Sequence, residues 1–303
     1  MSKKIFDNTL IIGMGLIGSS VARSLKKSKL SANILGYDIN QNVINKCKKL
    51  KIVDLFVSNL NNSKYQFDLI IICSPLGTYS SIFKKLNKLI KQDCIITDVG
   101  SVKTEVINQY EKHCNNSYIT FVPGHPIAGL EKSGPEYGFA DLFKNRYCII
   151  TTKNSKNKNV KKIEKMWKSF GMKVEYMNSK HHDKVLAMTS HIPQLIAYSI
   201  VATTTDLENR MKDEVIKYSA AGFRDFTRLA GSDPIMWRDV YSQNKEAVLD
   251  MLGRFSEDLA SLQKAIRNKD LNKMEKIFSS TKKIRKLIED YGQAGSFDPR
   301  EKK

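Results

Sequence analysis

The sequence predicts an α/β fold in two parts, with a doubly wound, mostly parallel sheet first and an all-α domain after it. Two observations predict this division. Apolar strand-like runs alternate with helical patterns up to about residue 178, and beyond that point only helical periodicities remain. We therefore expect one domain over residues 1–178 and a second over residues 179–303, with residues 293–303 as a frayed tail.

A glycine-rich turn follows the first predicted strand. Leu10, Ile11 and Ile12 form a short apolar run, and a helical pattern includes Val21. The turn and the first residues of the helix are Gly13, Met14, Gly15, Leu16, Ile17 and Gly18. With this spacing, the first glycine makes the turn, the second lets a pyrophosphate approach the backbone, and the third lets helix and strand pack closely. Amides at the start of the helix then face the phosphates.

Asp38 ends the second predicted strand, which covers residues 34–37. It stands about 20 residues beyond the last glycine, where an acid binds the ribose hydroxyls in Rossmann-type domains. A carboxylate at this place would repel a 2′-phosphate. We therefore predict a Rossmann-type domain that binds NAD rather than NADP.

The remaining elements follow in order along the chain. Further strands are predicted at residues 55–57, 69–73, 94–98, 118–122, 147–151 and 173–177, with helices at 40–50, 78–90 and 160–170. Long helices are predicted at residues 180–205, 234–268 and 270–292, the first of them with a kink at Pro193. The apolar stripes of the last two indicate either a homodimer through the helical domain or packing of the helices on each other.

Polar residues stand where three predicted strands end. Ser74 and Pro75 follow one strand, Gly100 and Ser101 follow the next, and His125 follows the one after. The carboxyl ends of parallel strands meet at the edge where doubly wound sheets bind ligands. A histidine at that edge is a candidate general base, and the neighbouring serine would orient it or contact the nicotinamide amide.

Three arginines, Arg224, Arg228 and Arg238, lie in one stretch of the helical half. Arginine binds a carboxylate through two parallel hydrogen bonds, so this stretch suits a carboxylated substrate. The alternative is ion pairing with the three aspartates of the same stretch, and residue types alone do not separate the two.

Bulk properties exclude several function classes. The net charge of +19 is spread along the chain without an aromatic-basic module, which indicates a lysine-rich surface rather than nucleic-acid binding. Five cysteines have no metal-ligand spacing, so we expect reduced thiols and no metal. We find no signal peptide and no apolar stretch near the ~18 residues that span a membrane, and we expect a cytoplasmic protein. His113, His181 and His182 are interpreted as solvated.

The chain resembles the prephenate/arogenate (cyclohexadienyl) dehydrogenases of tyrosine biosynthesis over essentially its whole length. The motifs that carry the resemblance are GMGLIGSSVARSL, TDVGSVK, PGHPIAGLEKSG, SHIPQLIAY and AAGFRDFTRLAGSDPIMWRD. The resemblance implies an NAD-dependent oxidative decarboxylation of prephenate to 4-hydroxyphenylpyruvate, of arogenate to tyrosine, or of both. It also implies that the protein need supply only orientation, a base and charge matching.

Site residues follow from the same resemblance, motif by motif. His125 accepts the proton of the ring hydroxyl, and Ser101 orients His125 and the nicotinamide. Arg228 binds a substrate carboxylate and forms an ionic gate with Glu131 and Asp225. The substrate side is lined by Ser190 and His191, with Trp237 nearby, and the cofactor edge includes Ser74, Pro75 and Gly100.

One position departs from many relatives. They have a second histidine where this chain has Gln194, at a position that faces the substrate side chain. An amide donates or accepts, so it does not separate prephenate from arogenate. Neither a chorismate mutase segment nor a regulatory ACT-type domain is recognised. The alternatives are another NAD(P)-dependent oxidoreductase with a helical domain, or a dinucleotide-sensing protein that is not an enzyme.

Overall fold

A computed structural model describes residues 4–61, 64–130, 132–152, 154–205, 207 and 209–291. Its main sheet has six parallel strands. They are β1 (Phe6–Ile12), β2 (Ser31–Tyr37), β3 (Leu55–Phe56), β4 (Leu69–Ile72), β5 (Cys94–Asp98) and β6 (Ile119–Val122). Their order across the sheet is β3-β2-β1-β4-β5-β6. This is the order of a Rossmann-type sheet, with its switch point between β1 and β4, so the predicted doubly wound fold is confirmed.

Four helices follow strands of this sheet, and a fifth lies later in the chain. They are α1 (Leu16–Ser28), α2 (Gln41–Lys49), α3 (Tyr79–Leu89), α4 (Thr104–His113) and α5 (Lys158–Ser169). His113, which the sequence analysis interprets as solvated, is the last residue of α4 and is partly exposed.

The strands at the centre of the sheet are buried on both faces. Leu10 pairs in register with Ile70, and Ile12 with Ile72. These side chains pack toward α3, around the fully buried Phe83. Their neighbours, such as Ile11, point to the opposite face and join the core beneath α1 and α5. Burial on both faces explains why these strands are continuous apolar runs without polar alternation.

A second sheet differs from the sequence prediction. Its strands are β7 (Gly124–Pro126), β8 (Tyr147–Ile150) and β9 (Lys173–Tyr176), with β7 antiparallel to β8 and β8 parallel to β9. We had expected His125 in a loop and the last two strands in the main sheet. Pro123 has no N–H with which to extend β6, and its carbonyl accepts from Thr151 instead. The chain therefore leaves the main sheet at Pro123, and His125 lies in β7.

The helical half begins with one continuous helix that starts at Ser179. It consists of α6 (Ser179–Leu186), a π-helical turn at Ala187–His191, and α7 (Ile192–Thr205). The π turn lies directly before Pro193, whose missing N–H interrupts the normal helical hydrogen bonds.

That helix corrects our expectation about membrane-spanning stretches. Its mean hydropathy of 1.4 and its length are sufficient to cross a membrane, although a third of the window is buried inside the protein. Its polar side chains His182, Asp183, His191 and Gln194 are also buried in the protein. Their hydrogen bonds to other elements fit a core helix of the helical domain.

Among the described residues of this half, five further α-helices follow. They are α8 (Asn209–Lys217), α9 (Ala221–Thr227), α10 (Pro234–Gln243), α11 (Lys245–Arg267) and α12 (Leu271–Asp290). The sequence did not predict α8 or α9, and the single helix predicted over residues 234–268 is divided at Asn244. The predicted tail at residues 293–303 lies outside the described residues.

Candidate active site

The glycine-rich turn lies between the carboxyl ends of β1 and β4. Gly13 has φ +91°, and a Cβ on it would lie 2.7 Å from the backbone nitrogen of Ser74. A Cβ on Gly18 would lie 1.9 Å from the carbonyl oxygen of Gly13, whereas one on Gly15 would meet no atom within 4 Å. The protein's own packing therefore requires glycine at positions 13 and 18, while Gly15 borders open space. Leu16 is buried and Ile17 half-buried behind the turn.

Asp38 lies beside this turn. One carboxylate oxygen accepts from the amide of Met14 and the other from the amide of Asn40, each at 2.8 Å. At the start of α1, Gly15 supplies no capping side chain and the first turn contains no acidic residue. Free amides at a helix N-terminus with a carboxylate close by suit the pyrophosphate and ribose of a dinucleotide, so these residues fit NAD.

His125 is buried at the same edge of the sheet, where β7 begins. Its Nδ1 lies 2.9 Å from Nε2 of His182, and Nδ1 of His182 lies 2.8 Å from Oδ1 of Asp183. The interpretation of His182 as solvated is wrong, because it is fully buried. His181, the residue before it, is exposed as expected.

Asp183 also holds the start of α4. Its two carboxylate oxygens accept from the amides of Lys103 and Thr104, each at 2.8 Å. The ammonium of Lys103 donates to Asp98 and, at 2.7 Å, to the carbonyl of Gly124. All the charged side chains of this cluster are buried and hydrogen-bonded, as buried charges must be.

His125 is uncharged at neutral pH. Burial lowers its pKa well below the usual range, and the nearby His182, Lys103 and His191 lower it further. A neutral imidazole keeps one nitrogen lone pair. Nε2 of His125 makes no hydrogen bond to a described residue, so it is available to accept a proton from a ligand.

The predicted partner of His125 is a different residue from the one observed. Ser101 is half-buried after β5, and no hydrogen bond from its hydroxyl to the described residues is found. His182 contacts Nδ1 of His125 instead. The contact of Ser101 with the nicotinamide stays a prediction, as do the cofactor contacts of Ser74, Pro75 and Gly100. Those three lie at the ends of β4 and β5, as the sequence predicted.

On the helical side, two neighbouring rings, those of His191 and Trp237, each have a buried N–H group. The rings of His191 and Trp237 lie 5.9 Å apart. Nδ1 of His191 lies 3.1 Å from the amide nitrogen of Asn244, so Nδ1 is the acceptor and Nε2 carries the proton. Nε2 of His191 and Nε1 of Trp237 are buried without a hydrogen-bond partner among the described residues. Two unpaired donors side by side are suited to an oxygen-rich ligand.

Gln194 is buried, and its amide nitrogen donates to the carbonyl of Leu229 at 2.7 Å. It therefore connects α7 to the short 3-10 turn that begins at Arg228. Ser190 is half-buried in the π turn. Its role in substrate binding stays a prediction.

The predicted ionic gate is not tested by the structure. Arg228 and Asp225 are exposed around the end of α9, and Glu131 lies outside the described residues. For Arg238, the alternative of local pairing is correct, because its guanidinium donates twice to Oδ1 of Asp239, at 2.7 and 3.0 Å.

Two family models match the two parts of the chain. The prephenate dehydrogenase nucleotide-binding domain matches residues 21–176, and the prephenate dehydrogenase dimerization domain matches residues 178–280. The chain is 34% identical to cyclohexadienyl dehydrogenase of Zymomonas mobilis, over 93% of this chain and 96% of that protein. It is 31% identical to prephenate dehydrogenase of Bacillus subtilis, over 92% of this chain and 75% of that protein.

A solved structure agrees with these matches. Prephenate dehydrogenase from A. aeolicus, in complex with hydroxyphenyl propionate and NAD+, is similar with a TM-score of 0.87 and 36% identity, over 95% of this chain and 99% of that one. A dinucleotide-type sheet with a buried neutral histidine at its edge, joined to a helical domain, defines a nucleotide-dependent dehydrogenase. Within that class, the chain belongs to the prephenate dehydrogenase family.

The contrast between Gly15 and Gly18 gives a test of the dinucleotide site. We expect Gly15→Ala to change the free energy of unfolding by less than about 1 kcal/mol, because its Cβ meets no atom, but to weaken NAD binding roughly 10-fold or more. We expect Gly18→Ala to destabilise the protein by about 1–3 kcal/mol through overlap with Gly13. Thermal unfolding and NAD titration measure both. Unchanged NAD affinity in Gly15→Ala would place the dinucleotide elsewhere.

Proposed function

We propose that this chain is an NAD-dependent dehydrogenase that oxidatively decarboxylates prephenate, arogenate or both in tyrosine biosynthesis. The observation that carries the proposal is the neutral, buried His125, with a free Nε2, at the ligand edge of a sheet whose glycine turn and Asp38 fit NAD. The chemistry needs those parts and little else, because the ring becomes aromatic once it is oxidised and decarboxylated.

In the proposed reaction, Nε2 of His125 accepts the proton of the ring hydroxyl at C4 as the C4–H bond breaks. The bound NAD supplies the acceptor for that hydride. The C1 carboxylate then leaves as carbon dioxide, its bonding electrons enter the ring, and the C4 oxygen becomes a phenolate. The imidazolium of His125 returns its proton to that oxygen, which gives the phenol. The residues of this chain orient the ring, hold the carboxylates and take up the proton.

We assign the substrate contacts to the helical side. Arg228 would bind a substrate carboxylate as a charge-assisted pair. The unpaired N–H groups of His191 and Trp237 would donate to substrate oxygens, which would remove the cost of leaving two buried donors unsatisfied. The protein's net charge of +19 would favour the approach of a dianionic substrate.

We also propose that the protein works in the cytoplasm as a homodimer. All five cysteines are free thiols, four of them buried, as expected in a reducing compartment. The dimer proposal is supported by α12, a 20-residue amphipathic helix without one buried residue in the single chain. Phe278 on α12 and Leu259 on α11 are each more than half exposed. A second copy would cover these apolar side chains.

The direct test of function is NADH formation by the purified protein with NAD and either prephenate or arogenate. We expect turnover with at least one of the two substrates, and we expect Gln194→His to change the kcat/KM of the substrate that is used. The absorbance of NADH measures the rate. NAD binding without turnover on either substrate would contradict the proposed activity and favour a dinucleotide-sensing role.

Two variants test separately the role of His125 as the base and the role of Arg228 in binding the substrate carboxylate. We expect His125→Asn to lower kcat by about 100- to 10,000-fold with little change in KM, since it removes the proton acceptor. We expect Arg228→Ala to raise KM by roughly 10- to 100-fold and to lower kcat less, since it removes a charged contact with bound substrate. Steady-state kinetics measures both constants. Retained turnover in His125→Asn, or a kcat loss at constant KM in Arg228→Ala, would remove the assigned role.

The dimer has its own test. We expect Phe278→Glu to shift the molar mass measured by light scattering toward the monomer, because a charge would be placed in an apolar interface. Lys276→Glu is the matched control, since it changes a charge on another face of the same exposed helix. A dimer that persists in Phe278→Glu, or a monomeric wild type, would overturn this surface.

A further inference from the structure

We propose that His182 and Asp183 are positioning residues that fix the tautomer of His125, so that its Nε2 is held as a proton acceptor and its Nδ1 as a donor. The proposal rests on the proposed function for its catalytic meaning. Its structural content, the position of one proton on one imidazole, is independent of any reaction.

The direction of the hydrogen bonds begins at Asp183. Both of its oxygens already accept backbone amides, from Lys103 and Thr104. Although burial raises the pKa of this carboxyl, hydrogen bonds from His182 and from those two amides hold it below the usual range. Asp183 is therefore an ionised carboxylate that only accepts hydrogen bonds.

The tautomer of His182 follows from this. Its Nδ1 lies 2.8 Å from Oδ1 of Asp183, so Nδ1 must carry the proton. Burial lowers the pKa of His182, which makes the neutral form the resting one. A neutral imidazole with its proton on Nδ1 has a lone pair on Nε2.

The same step then applies to His125. Its Nδ1 lies 2.9 Å from Nε2 of His182. Because that Nε2 has a lone pair and no proton, Nδ1 of His125 must donate. The lone pair of His125 is left on Nε2, the nitrogen without a partner among the described residues. His125 therefore donates to His182, and His182 donates to the negatively charged carboxylate of Asp183.

This arrangement has a consequence for catalysis. When Nε2 accepts a proton, the imidazolium keeps its Nδ1–H···Nε2 hydrogen bond, which is stronger once the donor is charged. The other groups packed around His125 are the ammonium of Lys103 with its partner Asp98, the imidazole of His191 and the thiol of Cys148. The two cations or potential cations among them oppose protonation. The hydrogen bonds from His125 through His182 to the carboxylate of Asp183 offset this effect, because they stabilise the protonated form of His125.

A purely structural role is the competing explanation, since Asp183 also fastens α6 to the start of α4. The two explanations differ in what they predict for His182, whose ring hydrogen-bonds to His125 and Asp183 and not to the backbone of α4. A structural role predicts a change in stability or in binding. A positioning role predicts a change in tautomer, in kcat and in the pH profile.

The tautomer is measurable directly by nitrogen NMR of protein labelled with 15N-histidine. The chain has five histidines, which single substitutions can assign. At neutral pH, without substrate, we expect the His125 signals of an imidazole protonated at Nδ1 and unprotonated at Nε2. A His125 that carries its proton on Nε2 would overturn the proposal even if the enzyme is fully active.

Kinetics supplies the second measurement. We expect His182→Leu to lower kcat by about 10- to 100-fold, as for the loss of one hydrogen bond to a group that becomes charged. KM and NAD affinity should stay within twofold. The acid limb of kcat should move to lower pH, because the imidazolium of His125 loses its acceptor. An unchanged kcat and pH profile in a folded His182→Leu protein would contradict the positioning role.

Two further variants keep the test interpretable. His182→Gln places an amide oxygen toward His125 and an amide N–H toward Asp183, so we expect it to restore the Nδ1–H tautomer and most of kcat. His181→Leu is the matched control, because it makes the same substitution at the exposed neighbouring residue. If His182→Leu does not fold, the wild-type NMR result still decides the proposal. If the wild type shows the expected tautomer but no turnover, the proposed function fails and the relay stands.

Discussion

The buried ion pair between Asp98 and Lys103 is the interaction on which the ligand edge of the sheet depends. Both side chains are fully buried, and burying two charges costs several kcal/mol per ion unless further hydrogen bonds satisfy them. Asp98 also accepts from the amides of Gly100 and Gly124 and from the hydroxyl of Tyr79. Lys103 donates in addition to the carbonyl of Gly124. One pair therefore fixes the end of β5 and the start of β7, and with them the backbone that carries His125.

The same design joins the helical half to the sheet. Asn244, between α10 and α11, donates to the carbonyl of Asp183 at 2.9 Å and to Nδ1 of His191 at 3.1 Å. In a second connection, the amide of Gly77, in the 3-10 turn between β4 and α3, donates to the carboxylate of Asp239 at 3.1 Å. A single amide side chain thus positions both His191 and the helix that carries His182 and Asp183. Any shift between the two halves would change both sides of the site together.

The parts that the sequence predicts have local causes. The glycine turn, Asp38 and the strand ends follow from spacings within about 25 residues, and the structure has them where expected. His182 was misinterpreted because two adjacent histidines flanked by lysines are typical of a solvated helix start. A signal was nevertheless present: His182 and Asp183 each stand four residues before a buried apolar residue, Leu186 and Ala187. The second sheet had no such signal. Strands β7 and β8 pair antiparallel across an intervening segment that contains two 3-10 turns, so the sequence shows no hairpin spacing between them.

The electrostatics of the site place two requirements on one histidine. A strongly positive protein attracts an anionic substrate, yet each nearby cation makes His125 harder to protonate. In the role proposed for His125, burial alone would give a neutral resting base, but one with little affinity for the proton that it would take up. Hydrogen bonding of Nδ1 to His182 separates these effects, because it leaves the resting imidazole neutral and stabilises the imidazolium only after proton transfer. The negative charge that makes this possible, on Asp183, lies one residue away from His125's partner and never contacts the base itself.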